Sequence, residues 1–206
     1  DLDVQHRFSA GERHALIWGF GYRHTRDRVI APAGSPLSIT GERRESPLIS
    51  AFVQDDIALI PERLHLIVGT KYERNDYTGE EWQPGVRALW TPDRHTTWWA
   101  SVSRAVRTPS RIESDFAVDV ATVRAFGNPA LLAERLIAYE AGLRLQPTPA
   151  LALDLAAFYN DYEDLVTTEL VGRPFPPPLT LTLDNRMSGH GKGIELAAVW
   201  DIDPRW

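Results

Sequence analysis

Two adjacent carboxylates, Asp55 and Asp56, are the pair in this sequence best able to grip a metal ion or share a proton. They stand inside an alternating segment, where neighbouring strand residues point to opposite faces, so only a bulge would let them act together. Gln54 and Asp56 then share one face, leaving Asp55 on the other, where the nearby turn at Pro61 eases its cost. His190-Gly191-Lys192-Gly193 has the outline of a phosphate loop, but no Ser or Thr follows Lys192 and no helix is expected after the glycines, so a turn or bulge is the simpler reading. The 6 histidines are dispersed without paired metal spacing, and no serine sits in a nucleophile elbow. With 0 cysteines, thiolate ligands and disulfides are excluded. These residues predict no catalytic site, no metal site and no cofactor, hence a protein that is not an enzyme.

What the remaining charged side chains can do depends on the elements that carry them. A formal net charge of −6, with Lys and Arg scattered, excludes a general nucleic-acid binder, which needs a basic surface. No apolar run approaches the roughly 18 residues of a spanning helix, so any membrane crossing must use tilted strands of about 9–11 residues. The chain starts at Asp1 without a leader pattern and stops at Trp206 just after an Asp-Pro turn signal, so both ends read as cut.

Strand-like alternation recurs from end to end, while helical periodicity shows only weakly between Asp119 and Leu132. Leu16, Trp18, Phe20 and Tyr22 share a face opposite Ile17, Gly19 and Gly21; Leu64, Leu66, Val68, Thr70 and Tyr72 oppose His65, Ile67, Gly69, Lys71 and Glu73. Ile137, Tyr139, Ala141 and Leu143 oppose Ala138, Glu140, Gly142 and Arg144, and the segment from Leu151 to Tyr162 repeats the pattern with late tyrosines. The second faces call for water or a polar lumen. About nine strands are expected, near 1–8, 14–26, 46–60, 64–76, 82–90, 96–108, 134–146, 151–169 and 180–202. Tight turns at 9–13, 61–63, 92–95 and 147–149 alternate with longer links at 27–45, 109–133 and 170–178, the 77–81 link being the shortest of that set. Short turns at one end and long loops at the other are the asymmetry of outer-membrane barrels, and the expected fold is all-β: an antiparallel transmembrane β-barrel segment, about nine strands of a larger barrel.

The order of several short patterns is similar to that of TonB-dependent outer-membrane receptors. AFVQDDIALIP at 51–61 and LHLIVGTKY at 64–72 look like a strand, turn and strand of that family. PGVRALWTP at 84–92 and WWASVSRAVRTPS at 98–110 follow, then Asn128-Pro129, YEAGLR at 139–144, AFYNDYEDL at 157–165 and GIEL at 193–196. The resemblance covers about Leu48 to Trp200 and implies the C-terminal barrel portion of a plugged barrel of about 22 strands. It further implies TonB-coupled active import of a scarce nutrient, above all a ferric siderophore or other metal chelate, in the outer membrane of a Gram-negative bacterium. Implied partners are the TonB energy-coupling complex acting through a plug domain, the lipid bilayer with its lipopolysaccharide, and an iron chelate. Residues 1–206 read as barrel alone, with the plug domain, TonB-binding segment and closing strands absent.

Two groups of residues are candidates for function on that footing. Lys71, Glu73, Glu140 and Arg144, together with Arg107, face the expected lumen and could hold a plug or a passing ligand; the simpler alternative is a solvated inner wall of cross-strand pairs. Arg107, Arg111, Glu113 and Asp115 open the longest unbroken loop, with Arg124 and Asn128 inside it, and external loops on a rigid scaffold commonly carry selectivity. Trp98 and Trp99 fall on opposite faces, one toward lipid headgroups and one into the lumen. A soluble β-sandwich binding a glycan or peptide, and a passive porin, are the alternative readings of the same alternation.

Overall fold

The computed structural model describes residues 1–173 and 175–202. The Asp203-Pro204 turn signal and the Trp206 terminus lie outside the described residues. Nine long strands, β1 (Leu2–Ala10), β2 (His14–Arg28), β4 (Arg43–Ile60), β5 (Leu64–Asn75), β6 (Gly79–Asp93), β7 (Thr96–Arg107), β10 (Glu134–Thr148), β11 (Leu151–Leu170) and β12 (Leu179–Trp200), form a continuous antiparallel meander. Three short strands, β3 (Leu37–Ile39), β8 (Phe116–Val120) and β9 (Val123–Phe126), and one helix, α1 (Arg111–Asp115), arise within the long loops. The helical signal expected between Asp119 and Leu132 is therefore displaced: α1 precedes it, and that stretch holds the end of β8 and all of β9. The β-branched residues Val118, Val120 and Val123 favour the pleated backbone there.

Each tight turn has a local cause. Ala10 pairs with His14 around Gly11 at φ 69°, and Ile60 pairs with Leu64 around Glu62 at φ 62°. Asp93 faces Thr96, its side chain accepting from the His95 amide at 2.8 Å, and Thr148 faces Leu151. These four turns sit at one end of the sheet. At the other end, the Asn75 side chain accepts from the Tyr77 and Thr78 amides at 2.8 and 2.9 Å, closing the short β5–β6 link.

Registers carry a single alternation across all nine strands. One row runs Ile57, Leu66, Ala88, Ala100, Ala141, Ala157, Ile194; another runs Leu16, Asp55, Val68, Val86, Val102, Tyr139, Tyr159. The opposite face carries Asp56, Ile67, Arg87, Ser101, Glu140, Phe158 and Gly193 in one row. So one face is apolar and the other polar with many small residues. Among the described residues the buried hydrophobic side chains are Leu131 and Ala133, both in a loop, whereas Trp82 is 55% and Trp98 46% exposed on the apolar face. A sheet folded for water would bury its apolar face against a second layer. No second sheet packs on this one among the described residues.

Asp55 and Asp56 point apart, as alternation requires. Asp55 bonds His14 at 2.6 Å and Asp56 bonds His65 at 2.7 Å, each on its own face. On the polar face three large rings each lie across a glycine directly opposite. A Cβ at Gly19 would come within 2.3 Å of the Phe52 ring, one at Gly142 within 2.4 Å of Trp99, and one at Gly193 within 2.7 Å of Phe158. Trp98, by contrast, stands on the apolar face opposite Trp90 and Leu143.

Candidate functional site

The 108–133 loop is folded rather than trailing. Pro109 precedes Ser110, whose hydroxyl accepts from the Glu113 amide while the Glu113 carboxylate accepts from the Ser110 amide at 2.7 Å, a capping box that starts α1. Phe116 then turns the chain into β8, and β8 pairs with β9 as a hairpin. Gly127 and Asn128 return beneath it, their amides donating to the carbonyls of Phe116 and Glu113 at 2.8 and 2.9 Å.

Arg107 ends β7 on the polar face and grips two carboxylates at once. It donates to Glu134 at 2.6 and 2.8 Å and to Glu113 at 3.0 and 3.1 Å. Burial alone would raise the pKa of Glu113, but hydrogen bonds from Arg107 and from the Ser110 amide and hydroxyl outweigh it and hold it down to about 2. Because the folded value lies below the ordinary one of 4.5, the stabilisation is complete above about pH 4.5 and is lost as pH falls toward 2. We expect hydrogen-exchange protection of the Gly127 and Asn128 amides, corrected for intrinsic rate, to hold at pH 5 and collapse between pH 4 and 2. In Glu113→Gln this acid step should be absent.

Arg111 is 10% exposed and reaches across to a different loop. It meets Asp27 as a close ion pair, donates to the Gly41 carbonyl, and lies 3.6 Å from Asp115. Asp115 in turn accepts from Arg44 at 2.7 Å, and the Arg44 guanidinium stacks over the Tyr77 ring at 4.3 Å. Asn128 is a staple: its side chain donates to the Leu183 carbonyl at 3.0 Å and accepts from the Ala130 amide at 2.9 Å. Arg124 pairs with Asp119 at 3.2 Å and remains half exposed. Of the six loop residues singled out from sequence, Arg107, Arg111, Glu113, Asp115 and Asn128 thus converge on one folded body, while Arg124 sits on its hairpin.

The lumenal candidates stay apart. Lys71 pairs with Glu73 at 3.0 Å, and Glu73 also accepts from Gln83 at 2.6 Å. Glu140 accepts from the Ser101 hydroxyl at 3.1 Å, and Arg144 donates to Asp154 at 2.7 Å on the neighbouring strand. All lie on the polar face. Lys71 also borders an open hollow of about 570 Å³ whose floor is Gly69 and Gly85 and whose sides include Arg87, Ser101 and Ser103. Sequence reasoning missed Asp27, Arg44, Tyr77, Glu134 and Asn185. Glu134 could have been found, since it follows a loop that Arg107 opens; the others become partners only once distant loops meet.

Comparison with known proteins agrees with this geometry. The family described as TonB dependent receptor-like, beta-barrel matches residues 1–206. The iron-regulated outer membrane virulence protein of Vibrio cholerae is 29% identical over 120 residues, which is 57% of this chain and 18% of that protein. Among solved structures, the siderophore receptor PirA from Acinetobacter baumannii superposes with a TM-score of 0.77 at 17% identity, covering 97% of this chain and 34% of the receptor. The ferric enterobactin receptor PfeA from Pseudomonas aeruginosa gives 0.76 at 19% identity, covering 94% and 32%. The chain therefore spans about a third of the receptors it superposes on, and these likenesses are of fold. With a matching profile along its whole length and the same two-faced meander, the chain belongs to the TonB-dependent receptor β-barrel family.

Proposed function

We propose that residues 1–206 form a run of transmembrane wall in a TonB-coupled receptor of the Gram-negative outer membrane, which imports a ferric siderophore or comparable metal chelate. The observation that carries this reading is the register-locked apolar face, left uncovered across nine strands. Such a face suits lipid, and it carries aromatic residues toward both of its rims. Phe8, Trp90, Trp98 and Trp200 lie near the short turns, Phe20, Tyr22, Tyr72 and Trp82 lie toward the long loops, and Trp18, Tyr139 and Tyr159 lie between. Trp82 and Trp90 on β6 are about 27 Å apart along the strand, or about 20 Å along the membrane normal at a 40° tilt, close to the ~25 Å apolar band of outer-membrane barrels.

The polar face becomes the lumen in this reading. Lys71, Glu73, Glu140 and Arg144 line it for a plug domain carried elsewhere in the receptor, through which the TonB complex delivers energy. The long loops, which project beyond the rim that Tyr72 and Trp82 mark, meet the chelate outside the cell. Arg107, Arg111, Glu113, Asp115 and Asn128 shape that surface, and Arg124, half exposed and paired with the single carboxylate of Asp119, is a charge in it open to an anionic chelate. Lipid and lipopolysaccharide meet the outer face. Catalysis has no part in this reading, since the work is capture and gated passage. A β-sandwich is disfavoured by the uncovered face, and a passive porin by the family's energy coupling.

Expression of the full reading frame followed by membrane separation tests the proposal. A heat-modifiable protein in the outer-membrane fraction, whose deletion abolishes uptake of radio-iron from at least one catecholate or hydroxamate chelate, is expected. A soluble, heat-insensitive product would overturn it.

A further inference from the structure

Asp55 and Asp56 of β4 each take a histidine from a neighbouring strand, and the two pairs differ chiefly in their surroundings. Asp56 bonds His65 at 2.7 Å on the polar face, with Ile67 and Arg87 along its row. Asp55 bonds His14 at 2.6 Å on the apolar face, in the row Phe8, Leu16, Asp55, Val68. Water solvates the first pair, while the second stands among side chains that suit lipid. There the Asp55 Oδ1 atom is buried without a partner. Apolar residues in place of such a pair are often as stable or more so. Stability therefore does not account for His14 and Asp55, and an ionisable pair on a lipid face points to a bound group.

Depth narrows what that group is. His14 is the first residue of β2, and Asp55 pairs with Leu16, about 7 Å further along the strand, or about 5 Å along the membrane normal at a 40° tilt. The pair lies just inside the short-turn rim, level with the headgroups of the periplasmic leaflet. Phe8, Trp18, Val53 and Val68 are exposed on the same face, a bed for acyl chains.

The polar groups at this rim match a zwitterion. An ionised carboxylate only accepts hydrogen bonds, so His14 donates from Nδ1, and in the neutral ring Nε2 is then an acceptor. The Asp55 charge behind the ring fixes its orientation and strengthens that acceptor. The His14 side chain is 45% exposed, and its Nε2 makes no hydrogen bond among the described residues. Glu12 and Arg13 precede it in the same turn, both exposed. A guanidinium suits a phosphodiester, whereas Nε2 and the Glu12 carboxylate suit an ammonium with N–H donors. Two carboxylates beside one guanidinium disfavour a headgroup that carries only negative charge.

Resting on the membrane-wall reading above, we propose that Glu12, Arg13 and His14, with Asp55 orienting the imidazole, form a headgroup site for an aminophospholipid of the periplasmic leaflet. The phosphate meets Arg13, and the primary ammonium meets His14 Nε2 and Glu12.

The full reading frame, purified in detergent from outer membranes, tests this by native mass spectrometry with added dioleoyl phosphatidylethanolamine, phosphatidylcholine or phosphatidylglycerol. The choline lipid keeps the phosphate without an N–H donor, and the glycerol lipid has no ammonium. Phosphatidylethanolamine should be held about fivefold more tightly than either, the worth of one net hydrogen bond. His14→Phe should abolish this preference, Asp55→Asn should lower it without weakening phosphatidylcholine, Arg13→Gln should weaken all three lipids, and His65→Phe on the polar face should change nothing. Equal binding of the three lipids by the parent overturns the site, as does a preference for phosphatidylglycerol or a preference that survives in His14→Phe. Displacement of the lipid by an equal concentration of soluble phosphoethanolamine would make the ligand a free headgroup, and overturns the lipid assignment. A receptor that fractionates as soluble protein, with no heat-modifiable form, fails the membrane reading instead.

Discussion

Val86→Arg is expected to destabilise the folded receptor by about 2–4 kcal/mol, the cost of a cation near the middle of an outer-membrane barrel's lipid face. Val86 stands between Val68 and Val102 in the centre of the apolar face, 41% exposed, with no acidic residue directly opposite it; Asp55 lies two strands away and is already bonded to His14. Ser103→Arg is the matched control. Ser103 opposes Gly85 on the adjacent strand, on the polar face beside the open hollow, so its added charge stays in water and should cost less than about 1 kcal/mol. Urea unfolding of both variants in lipid vesicles compares them directly. Equal costs would remove the assignment of faces on which the membrane reading depends.

Gly127→Ala should open the folded 108–133 loop without disturbing the nine long strands. A Cβ there would sit 2.6 Å from the Glu113 carbonyl oxygen and 2.7 and 2.8 Å from the Ser114 carbonyl carbon and oxygen. These are backbone atoms, unable to swing aside as a side chain would, so α1 must lift from the returning chain. Overpacking of this kind costs about 1–3 kcal/mol, and it falls on the segment whose amides bond Phe116 and Glu113. Trypsin on intact cells should then cut at Arg111, which the parent protects at 10% exposure, while heat-modifiability stays unchanged. Gly191→Ala, where the nearest atom is a ring edge at 3.9 Å, should leave the cleavage pattern as it was. Loss of the barrel form in Gly127→Ala would show instead that loop and wall fold as one unit.

The long strands were legible because their alternation is enforced by two different solvents along 12 to 20 residues, as in β5 and β11. Strand ends at His14, Ile60, Leu64, Thr96, Glu134 and Leu151 fall where the sequence put them, and the others shift by one to three residues, since polar rims carry no alternation to mark them. The short strands β3, β8 and β9 were not legible. Three residues such as Leu37–Ile39 have no period of their own, and their pairing is decided by a loop some 80 residues away in the chain. For the site, sequence singled out Arg107, Arg111, Glu113 and Asp115 from their place at a loop entrance, and the structure gathers them. It could not say that they spend their charge on one another and on Asp27, Arg44 and Glu134. Charge in a loop reads the same whether it faces a ligand or another loop. The Ser110 and Glu113 spacing did hold the capping-box signature, and reading it would have placed α1 ahead of the weak helical signal that followed.

Phe52, Trp99 and Phe158 lie down over Gly19, Gly142 and Gly193 instead of standing out from the wall. The polar face thereby keeps aromatic contact area without pegs, so its relief is low where bulky rings would otherwise jut out from it. Under the import reading proposed above, an occupant shifting along the strands would meet flat ring faces. The glycines thus set the relief of that face from the far side of each pair: a side chain added at any of them would raise a ring on the neighbouring strand, at a residue that had not itself changed.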